Sequence, residues 1–570
     1  MKTYIKIQLV SVLALAMLIF NACTEDFDQL NTSNNLVTED LINIDLMFTW
    51  VQVSAIHTGS WNGVNHMGHY CGMNSRDDSR VFSNGDNPAA WDNLYSDYSH
   101  NLSDIINICK KRNEENGNND LDTKMGMARI LRVWAYAEVT DIYGDIPYFE
   151  SCLPAAEAVY QPKYDTQKEI YEDFFKELKA AAAQLNASHK SYGSADLIYG
   201  GNVEKWKKLA NSLRLRLALR IRYADSDLAT ANMSDLNESN LITSLDDDAF
   251  ILTADDVSEN MNLVYTLMIN RGYPHSAEIM GKTLADILIG SGDAHNPIDP
   301  RIALHMDTCY AKWPGSPGYE DIGSFGYRGR PLLGNAPDEE RNPYGANTTS
   351  KLSAFWYCPI IERPVIRSSE VYFALAEAAL FNLKAGDANA LYQKGMNRAI
   401  AWEQKFYERC KPQMSDYLDE FYSPVYPDWD KTWEADYFAD KEITQDEIDA
   451  LKADPVYTLS GSTEEQFEMI MNQKMVALFP MEDQGWFEWR RTGYPRVLVA
   501  HDQDDLMGVS PRRYPWPQVE QSVNGDNYAD ALSRIGGTDG RLQKVWWDAN
   551  PNAPHEHTGE ILKMDQGWLN

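Results

Sequence analysis

The chain reads as a mostly α-helical protein interrupted by long, irregular, aromatic-rich segments. Three observations carry this expectation. Apolar residues recur at three- and four-residue steps in successive stretches between residues 91 and 479, the period of an amphipathic helix. The 570 residues include 16 Trp, 31 Tyr and 18 Phe, an aromatic load that a disordered chain does not carry. Residues 313–357 hold seven Gly, five Pro and eight aromatics with no helical period, and so long a loop in a compact domain is unusual and often functional. A mean hydropathy of −0.46 excludes an integral helical membrane protein. The net charge of −33 repels phosphate backbones and argues against a nucleic-acid partner.

The first 22 residues read as a secretory signal. Lys2 and Lys6 form its basic start, and Leu9–Phe20 is a 12-residue apolar run. That is short of the roughly 20 residues a spanning helix needs. Cleavage after Ala22 would leave Cys23 at the new N-terminus, and Phe20-Asn21-Ala22-Cys23 resembles a bacterial lipobox with Phe where Leu is usual. Lipidation of Cys23 with several acyl chains would anchor the protein stably to a membrane. Residues 23–40 are polar and acidic and read as a tether, leaving 41–570 as a single body.

Within that body a helix is expected over 41–56, followed by a Gly-, Asn- and aromatic-rich stretch, 57–90, without helical period. Trp91, Leu94, Tyr98, Leu102, Ile105 and Cys109 mark the next helix; Met127, Ile130, Leu131 and Trp134 mark another, ending before Gly144 and Pro147. A further helix is expected from Thr166 to Leu185. Residues 203–223 fit either a helix (Trp206, Leu209, Leu213, Leu217) or an alternating strand (Leu213, Leu215, Leu217, Leu219). Length and the strong helix formers Leu, Arg and Ala favour the helix. It is apolar on most sides, so Arg214, Arg216, Arg220 and Arg222 should find carboxylate partners. Glu370–Phe381 and Ala388–Trp402, joined by a Gly386-Asp387 turn, form a hairpin with small residues at the crossing, which resembles a tetratricopeptide unit. Residues 415–440 are an aromatic, acidic insert; a helix over Glu464–Phe479 precedes an aromatic turn at Trp486–Tyr494.

Several segments, taken together, carry a family resemblance. They are Ala22–Thr32 (ACTEDFDQLNT), Ala135–Tyr148 (AYAEVTDIYGDIPY), Asp196–Ile221, Arg367–Leu380 (RSSEVYFALAEAAL) and Gln473–Arg496 (QKMVALFPMEDQGWFEWRRTGYPR). In this order they resemble the SusD/RagB-like outer-membrane nutrient-binding lipoproteins. The resemblance implies a tetratricopeptide-like helical-repeat scaffold with a large irregular half packed on it. It also implies a lipid-anchored protein on the cell exterior that captures an oligomeric nutrient, usually a glycan, and delivers it to a SusC-like TonB-dependent transporter, without catalysis. Glu25, Asp26 and Asp28 directly after Cys23 resemble the surface-export signal of such lipoproteins.

A sugar offers an apolar face for stacking and a rim of hydroxyls for hydrogen bonds. Loop aromatics beside short polar side chains meet both needs. The stretch 57–90 supplies Trp61, Tyr70, Asn74, Arg76 and Asp78, and the stretch 313–357 supplies Trp313, Tyr319, Tyr327 and Trp356. These nine are the candidate ligand-binding residues, with the 415–440 insert as the other place for a site. Loop aromatics can instead plug onto their own scaffold. The chain has no P-loop, GxSxG, HExxH or Rossmann glycine pattern, so no catalytic residue, cofactor or metal is assigned. Asp246–Asp248 and Asp502–Asp505 lack EF-hand spacing and read as acidic turns. Cys71, Cys109, Cys152, Cys309, Cys358 and Cys410 show no CxxC pattern and read mainly as buried thiols. A peptide instead of a glycan as nutrient, a secreted glycoside hydrolase, and a helical scaffold for other proteins are the alternatives.

Overall fold

Helix α1 (Ile44–Asn62) opens the described part of the chain. The computed structural model describes residues 41–62, 67–75, 89–154, 157–255, 260–262, 264–265, 279–309, 325–331, 348–417, 438–497 and 511–554. Asp45 onward belongs to one compact unit. In it follow β1 (Asn74–Ser75), α2 (Ser99–Asn116), α3 (Asp122–Tyr143), α4 (Gln167–Gln184), α5 (Val203–Arg220) and α6 (Ser226–Met233). Then come β2 (Ala249–Leu252), β3 (Ile279–Met280), α7 (Lys282–Ile289), β4 (Glu362–Ile366), α8 (Ser368–Leu380) and α9 (Ala388–Tyr417). The described chain closes with α10 (Gln445–Ala453), α11 (Thr463–Leu478), α12 (Glu482–Thr492) and α13 (Gly525–Arg534). The protein is mostly helical, as its periodicity predicts.

Helices that follow each other in sequence pack on each other: α2 on α3, α3 on α4, α4 on α5, and α8 on α9. Local chemistry sets their ends. Thr166 and Glu169 close a capping box at the start of α4, Ser462 and Glu465 do so for α11, and the Asn202 side chain caps α5. Gly117 ends α2 in the left-handed conformation that glycine adopts without steric cost. Strand is minor among the described residues: β1 pairs with β3 and β2 with β4, both antiparallel.

Residues 203–220 are a helix, not a strand, and it lies deep. All four of the arginines on or just past it have carboxylate partners. Arg214 pairs with Asp235, Arg216 with Glu370 at 2.7 Å, Arg220 with Asp141 and Glu488, and Arg222 with Glu377 at 2.8 Å. Arg216 and Arg222 thereby tie α5 to α8, and Arg220 ties it to α3 and α12. Arg491 on α12 completes the web by bridging Glu377 and Glu488. Burial alone would raise the Glu488 carboxyl; Arg491, Lys474 and Arg220 instead hold it well below the usual range.

Three expectations about elements are corrected. Helix α1 runs to Asn62, six residues past the expected end. Helix α9 continues past Trp402 to Tyr417, with Pro412 inside it; Phe406, Tyr407, Cys410 and Met414 are its buried continuation. Residues 486–492 are not a turn but most of α12. Gln484 through Thr492 are all buried there, so no polar face marks the helical period. Asp247 and Asp248, read as an acidic turn, have structural partners. Asp247 accepts from Lys208 at 2.9 Å, and Asp248 accepts from the backbone N–H of Ser368 at the start of α8.

Candidate functional site

A cleft of about 610 Å³ opens beside α10, in the irregular part of the body. Its walls come from three places: the segment 295–308 with its short helix Ile302–His305, the extended segment carrying Tyr327, and residues 439–450. Each wall is fixed by backbone bonds. Gly326 has φ +73°, and a Cβ there would lie 2.3 Å from the Ala294 carbonyl oxygen, so only glycine allows this approach. Tyr327 N–H then donates to that same carbonyl at 2.7 Å. Next to it, the backbone N–H of Arg328 donates to Ser350 Oγ at 3.0 Å, and Ser350 N–H returns to the Arg328 carbonyl at 2.7 Å. Tyr327 is therefore held, half-buried, against the cleft by a rigid strip of chain.

The floor is electrostatically built. Lys441 is buried and donates to the carbonyls of Ala303 and Met306 as well as to Asp307 Oδ1. Asp307 Oδ2 in turn accepts from Ala354 N–H at 3.2 Å. A buried ammonium paired and hydrogen-bonded in this way orders the three segments around it. The charge of Lys441 is thus largely neutralised, while Asp440, Glu442 and Glu447 carry carboxylates to the rim. Glu447 also closes the capping box of α10 with Thr444. A half-buried tyrosine beside carboxylates, Thr308 and Asn296 puts one aromatic side chain and several hydrogen-bond acceptors along the cleft. That combination suits a neutral, hydroxyl-rich ligand.

The predicted site residues divide into three groups. Tyr327 lines the cleft. Arg76, Asp78, Trp313 and Tyr319 lie outside the described residues, as does the side chain of Trp61 at the end of α1. Tyr70, Asn74 and Trp356 are corrected: they are core residues. Tyr70 packs on Trp486 with ring centroids 5.5 Å apart. Asn74 Nδ2 donates to Glu482 Oε1 at 2.7 Å, and both side chains are buried. Trp356 packs on Phe406 at 4.5 Å and donates its indole N–H to the Leu304 carbonyl at 2.9 Å. Each aromatic ring among them has both an apolar cage and no open face, the plug role that loop aromatics also fill.

Sequence reasoning missed His295, Asp307, Lys441, Glu442 and Glu447. Lys441 lies next to the last residue of the 415–440 insert named as the second place for a site. Nothing in local spacing pairs it with Asp307, which is far away in sequence. The cleft also sits where two aromatic segments leave the described chain: Thr308 lies just before 310–324, and Ala439 just after 418–437.

A helical body with a polar, aromatic-edged cleft in its irregular part is the form of a ligand-capture protein. The chain belongs to the SusD-like family described as "Starch-binding associating with outer membrane", which matches residues 80–517. No protein of the curated set matches it. Among solved structures it is similar to one titled a chitin-binding protein, with 27% identity over 89% of this chain and 100% of the other, at a TM-score of 0.68. A SusD homolog from Parabacteroides distasonis is similar over 91% of this chain and 100% of its own, at 20% identity and a TM-score of 0.68. A chitin-binding SusD homolog from Flavobacterium johnsoniae shares 23% identity over 89% of this chain and 98% of its own, with a TM-score of 0.62. Among the described residues no helix is long and apolar enough to cross a membrane.

Proposed function

We propose that this protein is a surface lipoprotein, anchored to the outer membrane through acylated Cys23, that captures an oligosaccharide and passes it to a SusC-like TonB-dependent transporter without chemical conversion. The family assignment supports the role, and the single observation that carries the ligand reading is the cleft with Tyr327 on its wall. Its paired lysine and carboxylate rim favour hydroxyl and amide donors over anionic ligands. The structures titled chitin-binding point to N-acetylglucosamine oligomers as the first ligands to try. In this reading Trp313, Tyr319, Trp61, Arg76 and Asp78 remain candidate ligand-binding residues.

The test is affinity for a panel of soluble neutral oligosaccharides, anionic oligosaccharides and peptides, with the products analysed by mass. Binding of a neutral oligosaccharide with no shortened product supports the reading. Binding of peptides alone moves the assignment to peptide capture, and release of shorter sugars moves it to hydrolysis.

A further inference from the structure

Two of the six cysteines beyond Cys23 meet each other. Cys358 closes the 3-10 turn Ala354–Tyr357, and Cys410 sits on α9. Both are fully buried. The Cys358 Sγ lies 3.6 Å from the Cys410 carbonyl oxygen. The surroundings hold this meeting in register from both sides. One turn along α9, the Gln413 side chain donates to the Ile360 carbonyl at 3.0 Å and accepts from the Ile360 N–H at 2.9 Å. On the other side Phe355 stacks on Tyr407 at 5.5 Å, and Trp356 packs on Phe406 at 4.5 Å. Asn262 Nδ2 adds bonds to the carbonyls of Trp356 and Cys358, at 2.8 and 2.7 Å. The Cys358 sulfur is thus seated against the backbone of Cys410, which brings the two residues together as a disulfide requires.

We propose that Cys358 and Cys410 form a disulfide in the exported protein, a cross-link that pins the C-terminal part of α9 to the segment leading into β4. The proposal rests on the export reading above, because disulfides persist in compartments outside the cytoplasm. The two thiols give up two protons and two electrons to the disulfide of an extracytoplasmic thiol–disulfide oxidoreductase, which leaves as a dithiol. One S–S bond forms as the carrier's S–S bond breaks, through a mixed disulfide. Burial pushes the Cys358 thiol well above its ordinary range in the folded protein, and the thiolate is the attacking species. The bond therefore forms during folding, before α9 has closed over the pair. The cross-link lies at the foot of α9, whose chain next enters residues 418–437 and then the Lys441 wall of the cleft.

The full chain, purified from native membranes and denatured in excess N-ethylmaleimide, should yield one linked peptide pair containing Cys358 and Cys410 that separates on reduction. Cys71, Cys109, Cys152 and Cys309 should be alkylated throughout. Cys358→Ser should leave Cys410 alkylated and produce no other linked pair. A second arm sends the same chain to an oxidising periplasm behind an unrelated secretion signal. A linked pair there, with reduced thiols in the native host, supports the pair and overturns the export reading. Alkylation of both Cys358 and Cys410 in both arms overturns the disulfide.

Discussion

Replacing Glu488 by alanine removes a carboxylate that three cations share. Its Oε2 accepts from Arg491 at 2.5 Å and Lys474 at 3.0 Å, and its Oε1 from Arg220 at 3.3 Å. None of the four side chains is more than 4% exposed. After the substitution Arg491 keeps Glu377 and Arg220 keeps Asp141, but the Lys474 ammonium loses its ion-pair partner. Breaking a buried pair from one side costs about 3–5 kcal/mol, since the charge left behind stays desolvated. The exposed pair Arg496–Glu468, with side chains 56% and 26% exposed, gives the contrast: Glu468→Ala should cost at most about 1 kcal/mol. Urea unfolding followed by circular dichroism measures both. Combining Glu488→Leu with Lys474→Met should recover part of the loss, because the orphaned charge is removed with its partner. The depressed Glu488 carboxyl adds a pH signature. Its stabilisation is present above its unfolded value and is lost as pH falls through the lower folded value. A loss below about 1 kcal/mol for Glu488→Ala would refute the argument that this web holds α5, α8 and α12 together.

Other outcomes follow from single residues. Burial raises the Asp248 carboxyl to about 7 despite its bond from Ser368 N–H; its contribution to stability is full below about pH 4 and is lost as pH rises through 7, so Asp248→Asn should flatten the stability–pH curve between those limits. Cys23→Ser should release the protein from the membrane fraction with its fold intact, and retention after a high-salt wash without the transporter would contradict the anchor. Trp356→Ala should cost about 3–5 kcal/mol of stability as a core truncation. Trp313→Ala should leave the melting temperature unchanged and weaken oligosaccharide binding by about 1–3 kcal/mol, read by thermal melts and calorimetry on both variants.

The helical scaffold was legible because its helices are amphipathic and capped by local chemistry. Residues 203–220 were ambiguous in pattern, yet their length and composition settled them as a helix, and their buried arginines demanded the carboxylates found beside them. Helix α12 was illegible for the opposite reason: with all of Gln484–Thr492 buried, polar residues line its inside, and the helical period disappears. The same limit applied to the site. Trp356 and Tyr327 stand in the same Gly- and Pro-rich stretch, and composition treats them alike. Trp356 belongs to the run Ala354-Phe355-Trp356-Tyr357, whose neighbours are also apolar and which becomes a buried turn. Tyr327 sits between Gly326 and Arg328, flanked by a backbone that needs glycine and by a charge. That local contrast was the available signal. The Lys441–Asp307 pair had none, because only the fold brings two residues so far apart in sequence together.

On the proposed reading, the cleft beside α10 captures an oligosaccharide. Titration calorimetry of wild-type protein and Tyr327→Ala with N-acetylglucosamine oligomers and other neutral oligosaccharides tests it most directly. Wild type should bind at least one of them, and Tyr327→Ala should weaken the binding by about 1–3 kcal/mol with an unchanged melting temperature. Equal affinity of the two proteins for the same sugar would contradict it and place the capture surface elsewhere on the body.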